Sequence, residues 1–370
     1  MELVYYNADR VLAAEHLPGM REFAGYFLIY GRAVAPVDRT NTIKLPIKTK
    51  SLFPLPPMRP FPYHYEEVCQ ERAQGLLIRA EKKLKCPIFL CWSGGVDSTC
   101  MLVAFLKISD FAERQRITVL LSEESISEYP DFYRKYIRGQ LRCASAMQLP
   151  YLLGRENLIV NGEGNDQLFG SDIIADAVGK MGFETVTQPF DREALANFLT
   201  MRMRGDVEAA QFYVAMFEKL GHNAPIDLKT NFDVFWWVNF ALKWQTVYCR
   251  MLAFTAKQNE KLITKSYLKN YYAPFYMTNP FQLWSMNADT EGRIKNGWRS
   301  YKWQAKELIY NFTKDEKYRD NKLKRGSLQY LVKNQPRTAF IDANLRFHNR
   351  FEVAKHYRED NDFIRPGAST

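Results

Sequence analysis

Several features that would announce a function class are missing from this chain of 370 residues. No run approaches the roughly 18 apolar residues of a membrane span. The opening "MELVYYNADR" carries acidic residues and no apolar core of signal-peptide length. A cytoplasmic protein with no membrane partner is the expectation. The six cysteines, Cys69, Cys86, Cys91, Cys100, Cys143 and Cys249, form no C-x-x-C pair and have no histidine at metal-ligand spacing, which argues against a structural zinc site. Most lie in apolar stretches and read as buried thiols of a reducing compartment. The five histidines, His16, His64, His222, His348 and His356, are scattered without triad or metal spacing, so structural or surface roles are expected. There is no internal repeat and no standard DNA- or RNA-binding motif.

What is present is length, apolar content and positive charge. With 46% hydrophobic residues the chain can bury a sizeable core, in about two domains or one with an appendage. The net charge of +10 favours anionic partners such as nucleotides, nucleic acid or acidic metabolites.

Prolines cluster in "KLPIKTKSLFPLPPMRPFPYHY", residues 44–65, where regular structure cannot run on. That connector separates a small N-terminal segment, 1–65, from a main body, 66–370. The segment holds "FAGYFLIYGRAV", which reads as a strand. Whether it is a shrunken remnant of a lost domain or a capping element stays open. After the connector, "EEVCQERAQGLLIRAEKKL" has helical spacing, "CPIFLCW" reads as a buried strand and "STCMLVAFLKISDF" as a helix. "RITVLLS" then reads as a strand, "DFYRKYIRGQLRCASAMQL" as a helix and "LIVNG" as a third strand. Strands alternating with helices predict an α/β fold, a parallel sheet flanked by helices. Beyond about residue 190 the strand signal fades and the chain reads as helical. The aromatic run "FWWVNFALKW" reads as core.

Ligands of open parallel sheets bind beyond the carboxyl ends of strands, and two motifs fall there. In "SGGVDS" (93–98), Gly94 and Gly95 allow a tight turn with bare N–H groups, while Ser93 and Ser98 add hydroxyls near a helix N-terminus that favours anions. Asp97 repels phosphate unless a cation intervenes, which points to Mg²⁺. The motif has neither the G-K-[ST] of a Walker A loop nor the spacing of G-x-G-x-x-G, so a P-loop and a dinucleotide fold are not indicated. The plainer alternative is an ordinary strand-to-helix turn with a serine cap. The second motif is "NGEGNDQLFGS" (161–171).

"SGGVDS" resembles the pyrophosphate loop of the N-type ATP pyrophosphatases, and "NGEGNDQLFGS" resembles the G-E-G-x-D-E-x-F-G-G stretch of the asparagine synthetase synthetase domain, shared by β-lactam synthetase. The resemblance covers roughly residues 66–335 and implies the adenine nucleotide alpha hydrolase-like fold. It implies that Ser93, Gly94, Gly95, Val96, Asp97 and Ser98 hold the pyrophosphate of ATP, and that Asp97 and Asp166 hold Mg²⁺. It places Glu163 at the acyl-adenylate, where it would orient the amine or take its proton. Asn161, Gly162, Leu121 and Ser122 fall at nucleotide-lining positions. "YRDNKLKRGSL" (318–328) falls where the family carries a lysine that stabilises the adenylation transition state. Lys322 is the first choice and Lys324 the second, against the reading of a solvated basic run.

The implied chemistry is adenylation of a carboxylate, with release of AMP and pyrophosphate and amide formation with ammonia or an amine. Three departures stand out. Gln167 replaces an acid, Ser171-Asp172 replace the closing glycine and aromatic residue, and no cysteine precedes Cys69 to serve as a glutaminase nucleophile. Ammonia would come free or from a separate glutaminase. The same chemistry on a nucleotide or nucleic-acid base, and a scaffold without catalysis, are the alternatives.

Overall fold

The computed structural model describes residues 1–31, 35–170, 172–296, 301–322, 338–350 and 352–365. Their strands, in chain order, are β1 (Leu3–Tyr6), β2 (Ile88–Cys91), β3 (Ile117–Leu121), β4 (Arg142–Ser145), β5 (Leu158–Asn161), β6 (Tyr272–Pro274), β7 (Phe340–Asp342) and β8 (Phe347–His348). The chain divides into two units. One comprises Met1–Arg59, Asp166–Ala253 and Thr338–Thr370, the other Pro60–Asn165 and Phe254–Arg337. Residues 1–59 thus pack with later parts of the chain, and the division runs through the stretch 66–370.

The second unit, Pro60–Asn165 with Phe254–Arg337, holds a five-stranded parallel sheet in the order β4-β3-β2-β5-β6. Ile, Val and Leu dominate its central strands, as expected for strands covered on both faces. Helix α1 (Tyr65–Ile78) and helix α2 (Val96–Ile108) pack together, and α2 buries every residue from Ser98 to Leu106. The α/β parallel sheet read from the sequence is therefore present. Two of its strands are new. β4 lies inside "DFYRKYIRGQLRCASAMQL", which reads as one helix; Gly139, at φ 75°, ends the helical turns and lets the chain re-enter as a strand. β6 is three residues long, too short to leave a periodic signal.

The first unit, comprising Met1–Arg59, Asp166–Ala253 and Thr338–Thr370, is mostly helical around a small antiparallel sheet, β1-β7-β8, in which Tyr5 lies opposite Ile341. The expected strand in "FAGYFLIYGRAV" is corrected here. Met20–Tyr30 is a helix, because Met20, Phe23, Tyr26, Phe27 and Tyr30 recur at three- and four-residue spacing and are all buried. The run "FWWVNFALKW" is core: the helix Asn231–Leu242 is buried at every position. Gln245 ties residues 1–59 to the helices, donating to the carbonyls of Val4 and Lys50 at 2.8 Å and accepting from Leu52 N–H at 2.6 Å.

Cys69, Cys91, Cys100 and Cys249 are buried, Cys86 is half-buried and Cys143 exposed, and all six are free thiols. Among the described residues no helix is long and apolar enough to cross a membrane.

Candidate functional site

β2 and β5 are neighbours, yet from β2 the sheet grows to one side through β3 and β4 and to the other through β5 and β6. The connections leaving β2 and β5 therefore part company, and their carboxyl ends frame the crevice in which parallel sheets bind ligands. The loop 93–98 leaves β2 there and residues 162–165 leave β5.

The loop is held by its own serines. Ser93 N–H donates to Ser98 Oγ at 3.0 Å, the two hydroxyls lie 2.9 Å apart, and Gly95 N–H donates to Ser93 Oγ at 3.2 Å. Gly94 sits at φ 73°, and a Cβ there would lie 2.5 Å from the Ser125 carbonyl and 2.8 Å from Glu128 Cβ. Only glycine permits that backbone at that distance. Gly95 then starts α2 without a side-chain cap, so the helix presents its first-turn N–H groups, Val96 among them, to whatever occupies the loop. Gly162 brings the second motif onto the first: its Cβ would fall 2.9 Å from Ser98 N and 3.1 Å from the Asp97 carbonyl carbon.

Asp97 is the best-connected residue of the site. Lys302 Nζ contacts both its oxygens, at 2.7 and 2.6 Å, with the lysine side chain only 4% exposed. Asn165 Nδ2 donates to Asp97 Oδ1 at 2.8 Å. Tyr65 OH donates to Asn165 Oδ1 at 2.7 Å, which fixes the amide with its NH₂ toward the aspartate. Tyr276 OH donates to the Asp97 carbonyl at 2.8 Å. Burial raises the Tyr65 and Tyr276 hydroxyls well above the usual phenol range, so both stay protonated donors.

Lys322 also reaches the loop. It follows the helix Glu316–Asn321, and its Nζ pairs with Glu128 at the end of the helix Glu123–Glu128, both side chains nearly fully buried. Glu128 packs on Gly94, and Tyr318 OH donates to the Gly94 carbonyl at 2.9 Å. Glu128 Oε2 has no hydrogen-bond partner among the described residues. Lys324 lies outside the described residues.

The remaining expected residues are placed as follows. Glu163 is buried just past β5, its N–H donating to Asn161 Oδ1 at 3.1 Å. Burial, with the Glu163 charge adding to it, pushes the Cys91 thiol up to about 12. Asn161 Nδ2 reaches Tyr272 OH at 3.4 Å, so its side chain spans β5 and β6. Leu121 ends β3, and Ser122 caps the helix Glu123–Glu128, its hydroxyl accepting from Ser125 N–H at 3.3 Å. Asp166 falls in the first unit, where its carbonyl accepts from Asn239 Nδ2 at 3.2 Å. Gln167 Nε2 meets Asn239 Oδ1 at 3.5 Å in the same unit.

Magnesium fits Asp97 poorly as the side chains stand. A divalent ion needs carboxylate oxygens at about 2.1 Å, and both oxygens already bind an ammonium. Among the described residues no group of three or more His, Cys, Asp or Glu is placed to hold a metal ion.

No family model, curated protein or solved structure matches the chain.

The site gains from the structure Lys302, Glu128, Tyr65, Asn165, Tyr276 and Tyr318. Of these only Asn165 lies within a recognisable motif. Lys302, in "RSYKWQ", carries no sequence signal. Chemically the site offers a backbone cradle, two buried ammonium groups paired with carboxylates, and a third carboxylate, Glu163, at the end of the adjacent strand. The backbone cradle suits a phosphate oxygen, and the two lysines offset the charges of the two carboxylates nearest it.

Proposed function

We propose that this protein is an ATP-dependent carbon–nitrogen ligase of asparagine synthetase type, cytoplasmic, which activates a small-molecule carboxylate as its adenylate. The observation that carries the reading is the meeting of loop 93–98 with Gly162 and Asn165 at the carboxyl ends of β2 and β5, with Lys302 on Asp97 and Lys322 on Glu128.

In this reading the substrate carboxylate attacks the α-phosphorus of ATP and pyrophosphate leaves into the loop. Negative charge grows on phosphate oxygens, where the first-turn N–H groups of α2 are already oriented, Lys302 offsets the charge of Asp97, and Lys322 turns from Glu128 to the phosphate. Ammonia, free or delivered by a separate glutaminase, or an amine then attacks the acyl carbon, and AMP departs. Glu163 accepts the proton lost by the amine. Magnesium accompanies the nucleotide, and no step assigns it to Asp97.

The test is product analysis of purified protein with ATP, comparing aspartate plus ammonium, other carboxylates and amines, and nucleic acid. The expected result is AMP and pyrophosphate with one small-molecule pair, with amide formation and sustained turnover lost in Glu163→Gln. ADP and phosphate, or no turnover with any acceptor, would overturn the proposal. AMP release only with DNA or RNA would transfer the chemistry to a base, a reading the net charge of +10 favours.

A further inference from the structure

An aspartate inside a phosphate cradle needs a positive partner, because its own charge opposes the ligand. A divalent ion is the usual solution, but here the partner is already in the fold. Lys302 Nζ lies 2.7 Å from Asp97 Oδ1 and 2.6 Å from Oδ2, and the amide of Asn165, locked by Tyr65, takes a further position on Oδ1 at 2.8 Å. The lysine side chain is 4% exposed while Asp97 keeps 26%, so the pair has a covered cationic end and an open anionic end. Lys302 also holds a left-handed backbone, φ 54° and ψ 40°, immediately before the helix Trp303–Thr313. A lysine rarely adopts that conformation, and unfavourable backbone persists where surrounding contacts hold it in place.

We infer that Lys302 is the resident counter-cation of Asp97 and that it takes the place of a divalent metal there, so that the loop 93–98 binds pyrophosphate without metal at Asp97. The inference rests on the reading of that loop as a pyrophosphate cradle. The ammonium cancels the aspartate charge and leaves the first-turn N–H groups of α2 to attract the ligand. Lys302 and the Asn165 amide take three of the roughly four acceptor positions of the Asp97 carboxylate, so a Mg²⁺ ion would compete with Lys302 for the same oxygens.

The experiment is calorimetric titration of the full chain with inorganic pyrophosphate, in EDTA and in Mg²⁺, for the wild type, Lys302→Met, Lys302→Arg and Asp97→Asn. The wild type is expected to bind in EDTA. Lys302→Met should lose ten-fold or more in EDTA and recover in Mg²⁺, because the bared aspartate then accepts the ion. Lys302→Arg should retain metal-free binding. Asp97→Asn should bind about ten-fold more tightly than wild type in EDTA, since the loop then carries one negative charge fewer. This variant keeps the inference testable if Lys302→Met fails to fold. Wild-type binding that appears only with Mg²⁺, or Asp97→Asn binding no better than wild type in EDTA, overturns the inference and leaves the ligase proposal standing. No binding of pyrophosphate by the wild type with or without Mg²⁺ overturns both.

Discussion

Both units bury cations, and they partner them differently. In the first, Arg39 donates to the backbone carbonyls of Phe53 and Pro54 at 2.9 and 3.0 Å and lies 4.8 Å from the Trp244 ring centre, while burial lowers its pKa to about 9. These partners are neutral and fixed in the chain. In the second, Lys302 and Lys322 each face a carboxylate. A carboxylate and a phosphate compete for the same ammonium, so in the proposed reading Lys322 can pass from Glu128 to a ligand, while Lys302 stays on Asp97 to offset its charge. A buried cation bonded to carbonyls therefore marks architecture, and one bonded to an acid beside a backbone cradle marks a site.

In the second unit Gly94 is the most sensitive position. Alanine there meets the Ser125 carbonyl and a strained φ. AMP formation is expected to fall about 100-fold or more, the scale of a 1 Å misplacement of a binding group, and steady-state kinetics checks it. In the first unit Trp236→Ala should act on stability instead. The indole is fully buried and donates to the Leu168 carbonyl at 3.2 Å, so denaturant unfolding should show a loss of about 3–5 kcal/mol, with pyrophosphate affinity of the folded protein unchanged. Loss of pyrophosphate affinity in Trp236→Ala would erase the distinction between the units.

Tyr65→Phe sharpens it. Without the hydroxyl, Asn165 Oδ1 loses its donor and the amide can turn its oxygen toward Asp97. A cost of about 1–2 kcal/mol is expected, read as roughly 5- to 30-fold weaker pyrophosphate binding. The smallest effect is one of pH. Burial holds the His356 imidazole below its ordinary value, and Asp342, despite burial, is held low by His348 and the N–H groups of Arg346 and Asn344. Both folded-state values are depressed, so both contributions are present above the unfolded values, about 6.5 and 3.9, and are lost as pH falls. Melting curves should show a fall of a few degrees beginning below about pH 6.5, removed in part by His356→Gln.

Much of the second unit was legible in the sequence because its signals are local. β2, β3 and β5 are apolar runs closed by glycine, serine or asparagine, and the two motifs lie directly behind β2 and β5. What could not be read depends on partners distant in the chain. Lys302 lies 205 positions from Asp97 and Tyr65 lies 100 from Asn165, and no periodicity encodes such pairs. The helix Met20–Tyr30 was misread as a strand because its aromatic and β-branched content outweighed its spacing. The division of the chain was hidden for the same reason, since it depends on β1 meeting β7.

That pairing sets an order of events during synthesis. The strand at Leu3–Tyr6 is made long before its partner at Phe340–Asp342. The unit containing β2 to β6 has all its strands made while β1 still waits with an unpaired edge. Until Phe340–Asp342 is made, a nascent chain carries apolar "LVYY" without its β7 partner, and slow, long-range closure of that kind is where chaperone dependence and misassembly concentrate. The yield of folded protein should therefore respond to translation speed and to chaperone supply more than to any change in the sheet that carries the site.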